Sequence, residues 1–289
     1  KQMAEEALRL APEDTEGGFI LMGILVRQNN PEGAIACARQ ILAMHPDHGA
    51  IVTKLAECLN QVGKNAEAVS AYKEALRIEP TNPDSHYKLA LTLADGGDQN
   101  SAIAQFRIAT TLKPDSAEMQ DNFGLALLKV EKLEEAVRHF AEAAKLAPQN
   151  ATYHFHVGVG LGRQRKLGEA VEVYRKALQL DPNLPNALNN LAWILATSSD
   201  PQLRNPKEAV EFAKKACELS NWKMVVFLET MGVAQAESGI FEEAVATLQK
   251  ELELAQGDDQ RTAKVKRLIE AFTAKRPYQE ALLLNSDRK

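Results

Sequence analysis

Small and apolar residues return along this chain at two nested intervals. Over short range they fall three, four, seven and eight residues apart, which places them on one face of an α-helix. Over long range the pattern repeats every 34 residues, most plainly at Pro12, Pro46, Pro80, Pro114, Pro148 and Pro182. A proline has no N–H to donate and restricts the residue before it, so each of these points predicts the end of a helix and a turn. With every unit counted so that this proline falls at position 32, further columns appear. Position 20 is alanine in all seven units: Ala34, Ala68, Ala102, Ala136, Ala170, Ala209 and Ala244. Position 8 is small six times, as Ala56, Ala90, Gly124, Gly158, Ala192 and Gly232, with Met22 the exception. Position 27 is alanine in the middle five units (Ala75, Ala109, Ala143, Ala177, Ala216), and position 11 is leucine six times, from Leu25 to Leu195. Position 24 is mostly large, through Tyr72, Phe106, Phe140, Tyr174 and Leu248. Two antiparallel helices approach closely only where small side chains face each other. Positions 8 and 20 are therefore assigned to the contact and the bulky residues at 7, 11 and 24 to the space alongside. Each hairpin buries part of its apolar face and needs the next to cover the rest.

A small residue at 8, alanine at 20 and 27, an aromatic at 24 and proline at 32 on a 34-residue period resemble the tetratricopeptide repeat family, over roughly residues 1–256. The resemblance implies an all-α fold, a right-handed α-solenoid of antiparallel helix hairpins. The expected repeats are 15–48, 49–82, 83–116, 117–150, 151–184, 185–223 and 225–257. The sixth carries five extra residues within 197–207, where two prolines and polar residues predict a loop at the hairpin tip. The seventh has Gln256 at position 32, and Gly257 is expected to end its helix. Residues 1–14 read as the second helix of a repeat whose first half is missing, with Ala4, Ala7 and Pro12 at positions 24, 27 and 32. Because the chain opens at Lys1 in mid-pattern, it reads as a piece of a larger protein. Residues 258–289 read as a capping helix and tail. Over 259–275 Val265, Leu268, Ile269 and Phe272 are expected inward and the Arg and Lys side chains outward, and after Tyr278 a short helix or disorder is expected.

Composition narrows the function. The formal charge is −5, but residues 261–289 carry +5 and the body about −10. An acidic body argues against a nucleic-acid groove, which needs a basic stripe to neutralise phosphates. The basic end reads as a solvated helix terminus that could also meet an acidic partner. Three widely spaced cysteines, Cys37, Cys58 and Cys217, suit neither a disulfide framework nor a zinc site and point to a reduced compartment. No run approaches the roughly 18 apolar residues of a membrane span, and no secretory signal is present. The default location is cytoplasmic.

Chemistry is sparse. The glycines from Gly158 to Gly162 invite a dinucleotide-binding reading, but no strand precedes them, Arg163 replaces the last required glycine, and they fall inside a repeat helix. His154 and His156 lie two apart, about 200° around a helix, and cannot chelate one metal together. His45 and His48 flank a turn without acidic or thiol company. Asn150 opens a glycosylation sequon, which matters only in a secreted chain. No nucleophile, acid–base pair or phosphate loop is placed by spacing, so a non-enzymatic protein without cofactor or metal is expected.

What remains is the surface of the first helices. The family resemblance implies that these helices line a concave wall, with positions 2, 5, 6, 9, 12 and 13 pointing into it. Position 5 then supplies Tyr87, Phe155 and Asn189, position 6 Asn122, His156 and Asn190, and position 9 Leu91, Leu125, Val159 and Trp193. The core columns are filled by other residues, so these apolar and aromatic side chains are surplus to packing. They form the candidate peptide-binding strip, in which aromatics anchor and amides pair with an extended backbone. The lysine and asparagine clamp by which chaperone-tail readers of this family hold two carboxylates is not matched around Asn122 or Asn190. Asn122 and Asn190, at position 6, resemble in part the asparagine ladder of O-linked N-acetylglucosamine transferase repeat domains. The leading expectation is a scaffold that holds an extended segment of a protein or peptide partner, with no nucleic acid and no membrane span. The alternatives are the substrate-presenting region of a larger enzyme such as a protein glycosyltransferase, and self-association through the uncovered N-terminal helix.

Overall fold

A computed structural model describes residues 15–255 and 257–278 of the chain. The helix expected over 1–14, with the self-association assigned to it, lies outside the described residues, as do Gln256 and the tail 279–289. Among the described residues there are fifteen α-helices and no strand. The chain divides into two compact units at Leu146. In the first unit, α1 (Thr15–Arg27) pairs with α2 (Pro31–Met44), α3 (Gly49–Gln61) with α4 (Asn65–Ile78), α5 (Pro83–Asp95) with α6 (Gln99–Leu112), and α7 (Ala117–Lys129) with α8 (Leu133–Leu146). In the second, α9 (Ala151–Arg163) pairs with α10 (Leu167–Leu180), α11 (Pro185–Thr197) with α12 (Pro206–Leu219), and α13 (Val225–Glu237) with α14 (Phe241–Leu254); α15 (Asp259–Thr273) packs on α14. Within each unit every helix also packs on its successor, and α11 lies against α13.

The hairpin turns explain how one register is kept. First helices are 13 residues long and second helices 14 throughout, so each turn must fall at the same repeat position. At position 16 a backbone N–H donates to the position-11 carbonyl, as from Lys64 to Leu59 and from Asp98 to Leu93, both at 2.9 Å. That six-residue closure requires a left-handed residue at position 15. Gly63, Gly97 and Gly239 supply it without strain, whereas Asn29, Glu131 and Arg165 adopt it with φ of 55°, 59° and 64°. In the sixth hairpin the five extra residues bulge out, and Asn205 N–H still closes on the Leu195 carbonyl at 2.8 Å. The insertion is absorbed without moving the helices out of register.

The column prolines sit two residues past the ends of α2, α4, α6, α8 and α10. Their carbonyls are in turn used. His86 Nε2 contacts the Pro80 carbonyl at 3.0 Å, Gln120 Nε2 donates to that of Pro114 at 3.1 Å, and His154 Nε2 contacts that of Pro148 at 3.0 Å. His86 and Gln120 also reach the following helix, at Gln105 and His139, each at 2.7 Å. A polar position 4 thus ties a hairpin's entry turn to both of its helices.

Packing refines the steric assignment of the columns. The position-20 alanines are fully buried, but the closest partner of position 8 is the large side chain at 24. A Cβ added at Gly124 would lie 2.5 Å from the Phe140 ring, one at Gly158 2.6 Å from the Tyr174 ring, and one at Gly232 2.8 Å from Leu248. The Met22 exception follows the same rule inverted. In the first hairpin position 24 is Ala38, and Met22 and Ala38 are both fully buried in one cluster, so the volume has moved to the other helix. Between neighbours, Arg39 pairs with Glu67 at 2.8 Å, Arg107 with Glu135 at 2.7 Å, and Arg175 with both carboxylate oxygens of Glu208 at 2.7 and 2.8 Å. Exposed ion pairs add little stability, but three at one register, positions 25 and 19 of the next repeat, favour a single stacking offset.

The cysteines are free and buried, and burial raises all three thiols, Cys217 to about 12. They are apolar filling and carry no thiolate chemistry.

Two glycines of one helix should respond oppositely to alanine. Gly158→Ala drives a methyl into the buried Tyr174 ring and should lose about 1 kcal/mol net. Gly162, whose added Cβ meets nothing closer than the Tyr174 hydroxyl at 3.8 Å, should gain about 0.5–1 kcal/mol from helix propensity. Urea unfolding midpoints of the two variants check the opposite signs.

Candidate functional site

The first helices carry the candidate strip, and each unit uses it differently. In the first unit Tyr87 on α5 is 8% exposed, its ring 6.0 Å from Phe106. Its hydroxyl donates to Glu118 on α7 at 2.8 Å and accepts from Asn122 Nδ2 at 3.0 Å. Tyr87 and Asn122 therefore bind each other across consecutive hairpins, although the columns had assigned both to the open surface. Neighbouring positions do likewise: Glu57 on α3 accepts from Lys54 on its own helix at 2.7 Å and from Lys88 on α5, and the Thr53 and Ser85 hydroxyls lie 3.2 Å apart. Leu91 and Leu125 are half-buried beside this polar ladder.

In the second unit the same columns border a cavity of about 720 Å³. Val159 on α9 and Asn189, Asn190 and Trp193 on α11 line it, so four of the ten candidate residues are brought to one place. Phe155 and His156 lie outside the lining; the Phe155 ring is 5.5 Å from His156 and 6.0 Å from Tyr174. Tyr174 reaches through from α10, and its hydroxyl accepts from Asn190 Nδ2 at 3.2 Å. Burial raises that phenol to about 12, so it stays protonated. Asn189 is 6% exposed; its Nδ2 is 3.4 Å from Asn190 Oδ1, and its own Oδ1 is buried without a hydrogen bond. The more open amide at this wall is that of Asn190, which is half-buried.

The columns missed three contributors. Arg165, at the left-handed turn position, lines the cavity, and a charged side chain is held there at the backbone conformation where other hairpins use glycine. Tyr278, beyond α15, returns to the cavity with its ring edge-on to Trp193, at 5.5 Å and 74°. The third is electrostatic. Arg261 and Lys264 on α15 were expected outward, but they turn toward the seventh hairpin, because Glu229 on α13 and Glu251 on α14 would otherwise be buried without cations. Arg261 donates to Glu251 at 2.8 Å and Glu229 at 3.3 Å, and Lys264 also pairs with Glu229. Val265, Leu268 and Phe272 are buried on the same helix, while Ile269 is only half-buried. A one-residue column could not reveal Arg261 or Lys264, since both lie past the last repeat.

Among the described residues no group of His, Cys, Asp and Glu is arranged for a metal, and no helix is long and apolar enough to cross a membrane. The glycines from Gly158 to Gly162 are helical, so they cradle no phosphate.

The comparisons agree with this architecture. A TPR repeat family model matches residues 59–97, and two tetratricopeptide repeat models match residues 122–185 and 173–211. Residues 59–97 and 122–211 thus carry tetratricopeptide repeats. No curated protein sequence matches it. Among solved structures it is similar to PilW, described as a widely conserved type IV pilus biogenesis factor (20% identity, TM-score 0.63, covering 75% of this chain and 98% of that one). It is also similar to PilF of Pseudomonas aeruginosa (19% identity, TM-score 0.62, 79% and 97%). YrrB, described as a TPR protein with an unusual peptide-binding site, is 22% identical with a TM-score of 0.58, over 65% and 96%. At these identities the likeness is one of fold.

The buried cluster gives the second unit a pH dependence. Burial, then the charge of Glu229, raises the Glu251 carboxyl from 4.5 to about 7, against the pull of Arg261. The folded state then holds a proton that the unfolded chain releases between pH 4.5 and 7. Its stabilising contribution is complete below pH 4.5 and is lost as pH rises through 7. Relative to Glu251→Gln, the wild-type chain should lose up to about 3 kcal/mol between pH 4.5 and 8, read from urea unfolding at each pH.

Proposed function

We propose that this protein is a non-enzymatic interaction scaffold that binds an extended segment of a protein partner along the first-helix face, with the cavity of the second unit as its main anchor point. The observation that carries the reading is the cavity itself. At about 720 Å³ it has the size of a ligand site, and it is lined by groove-column residues, Val159, Asn189, Asn190 and Trp193, that the hairpin core does not need. Trp193 offers an apolar face for a side chain, and the half-buried Asn190 amide offers polar atoms to a backbone. Arg165 adds a positive charge to the cavity lining. YrrB is described with a peptide-binding site and PilW as a pilus biogenesis factor, uses consistent with a scaffold.

Peptides selected from a phage-displayed library on the full chain should bind at least tenfold more weakly after Trp193→Ala with Phe155→Ala, the scale of one or two lost anchors. Binders whose affinity ignores both substitutions, in a variant with unchanged circular dichroism, would overturn the proposal.

A further inference from the structure

The segment after α15 is steered back onto the cavity by local structure. Arg276 N–H closes on the Ala271 carbonyl at 2.9 Å and Lys275 N–H on that of Phe272 at 2.9 Å, with Lys275 at φ 53° in the left-handed position. This is the same six-residue closure that ends the first helices, here made by a lysine. It turns the chain at once, and three residues later Tyr278 has reached Trp193. Two contacts hold it there. The ring meets the Trp193 indole edge-on, the favoured geometry for an aromatic pair. The Tyr278 N–H donates to Glu237 Oε1 at 2.5 Å, and the other oxygen of that carboxylate accepts from Arg204 of the inserted loop. The Glu237 side chain is only 3% exposed, so its acceptor is fixed in place. Tyr278 thus makes both contacts expected of an anchor residue in a bound segment, a ring in an aromatic subsite and a backbone N–H on a fixed carboxylate. The rest of the cavity stays open beside it.

We propose that Tyr278 is an intramolecular stand-in for a partner's aromatic residue. The subsite formed by Trp193 and Glu237 takes a phenylalanine or tyrosine from an extended peptide, in competition with the chain's own segment. The proposal rests on the scaffold reading and names its anchor chemistry. A segment tethered five residues from the end of its helix acts at an effective concentration on the order of millimolar. It screens out weak ligands and yields to a segment that adds contacts along the open part of the cavity. The inserted loop has a role in this arrangement, since Arg204 orients the carboxylate that receives the N–H.

The probe is a fluorescein-labelled peptide spanning residues 274–280, titrated by anisotropy into the full chain. Tyr278→Ala, which takes the ring off Trp193 and leaves only a backbone N–H on Glu237, should bind it at least fivefold more tightly than wild type. Tyr278→Phe, which keeps the ring, should show a smaller gain than Tyr278→Ala. Adding Trp193→Ala to Tyr278→Ala, or replacing the tyrosine of the peptide by alanine, should abolish the gain. Equal affinity for wild type and Tyr278→Ala would overturn the proposal. So would a lower melting temperature in Tyr278→Ala with no gain in binding, which is the behaviour of a structural clasp. The two readings fail separately. Library peptides that need Trp193 but bind wild type and Tyr278→Ala equally leave the scaffold and remove the competition. A gain for the 274–280 probe alongside library binders indifferent to Trp193 and Phe155 does the reverse.

Discussion

A hairpin in this protein closes because a large side chain on one helix meets a vacancy on the other. Phe140 over Gly124 and Tyr174 over Gly158 leave no room for even a methyl group, and the alanines at position 20 let the backbones come near. Protein interiors are packed as densely as crystals, so such a fit fixes the distance between the two helices and their axial offset together. In the first hairpin Met22 and Ala38 place the volume on the other helix, and the sixth closes on two alanines, Ala192 and Ala213. Everything outward of this contact, including which residues face the next hairpin and which face the groove, follows from the offset it sets.

With constant helix lengths and a closed turn, position in the repeat becomes position in space. The left-handed residue at position 15 matters here more than its single hydrogen bond suggests. A turn that opened by one residue would rotate the second helix by about 100° and carry its aromatic away from the vacancy. The sixth hairpin tests this constraint within the molecule. It absorbs five residues by looping them out and recovers the bond between Asn205 and Leu195, and the freed loop sends Arg204 to Glu237. An insertion tolerated for steric reasons thereby contributes a charge to the candidate site.

The end of the array is managed by charge as well as by apolar burial. Repeat proteins need a final element to cover the last hairpin, and α15 does so with Val265, Leu268 and Phe272. Glu229 and Glu251 then face the same helix, where only a cation can accompany them out of water. Arg261 serves both and Lys264 adds a second positive charge for Glu229, while Glu251 still has one oxygen without a partner. The stability of this cluster depends on protonation because burial outweighs the single guanidinium contact. The cap and the cavity share Glu229, Arg261 and Lys264, so the shape of the cavity depends on the packing of α15.

The sequence alone determined the period, the helix pairs and the buried columns, because those depend on side-chain volume at fixed spacing. Ala170 or Tyr174 can be assigned from its column before any coordinate is known. It also placed Trp193, Val159, Asn189 and Asn190 on the first helices, where they line the cavity. Which of these are used within the stack was decided only by tertiary structure. Tyr87 and Asn122 occupy the same columns as Phe155 and Asn190, yet they bond to each other because Glu118 lies within reach of the Tyr87 hydroxyl. That depends on a neighbour 31 residues away in sequence but 2.8 Å away in space, rather than on the column. Tyr278, Arg261 and Lys264 stand outside the periodic region, where no column exists to mark them. A chain turn at Lys275 and two buried carboxylates brought them to the cavity. Repetition encodes the scaffold, and the site arises where non-repeated residues fold back onto it.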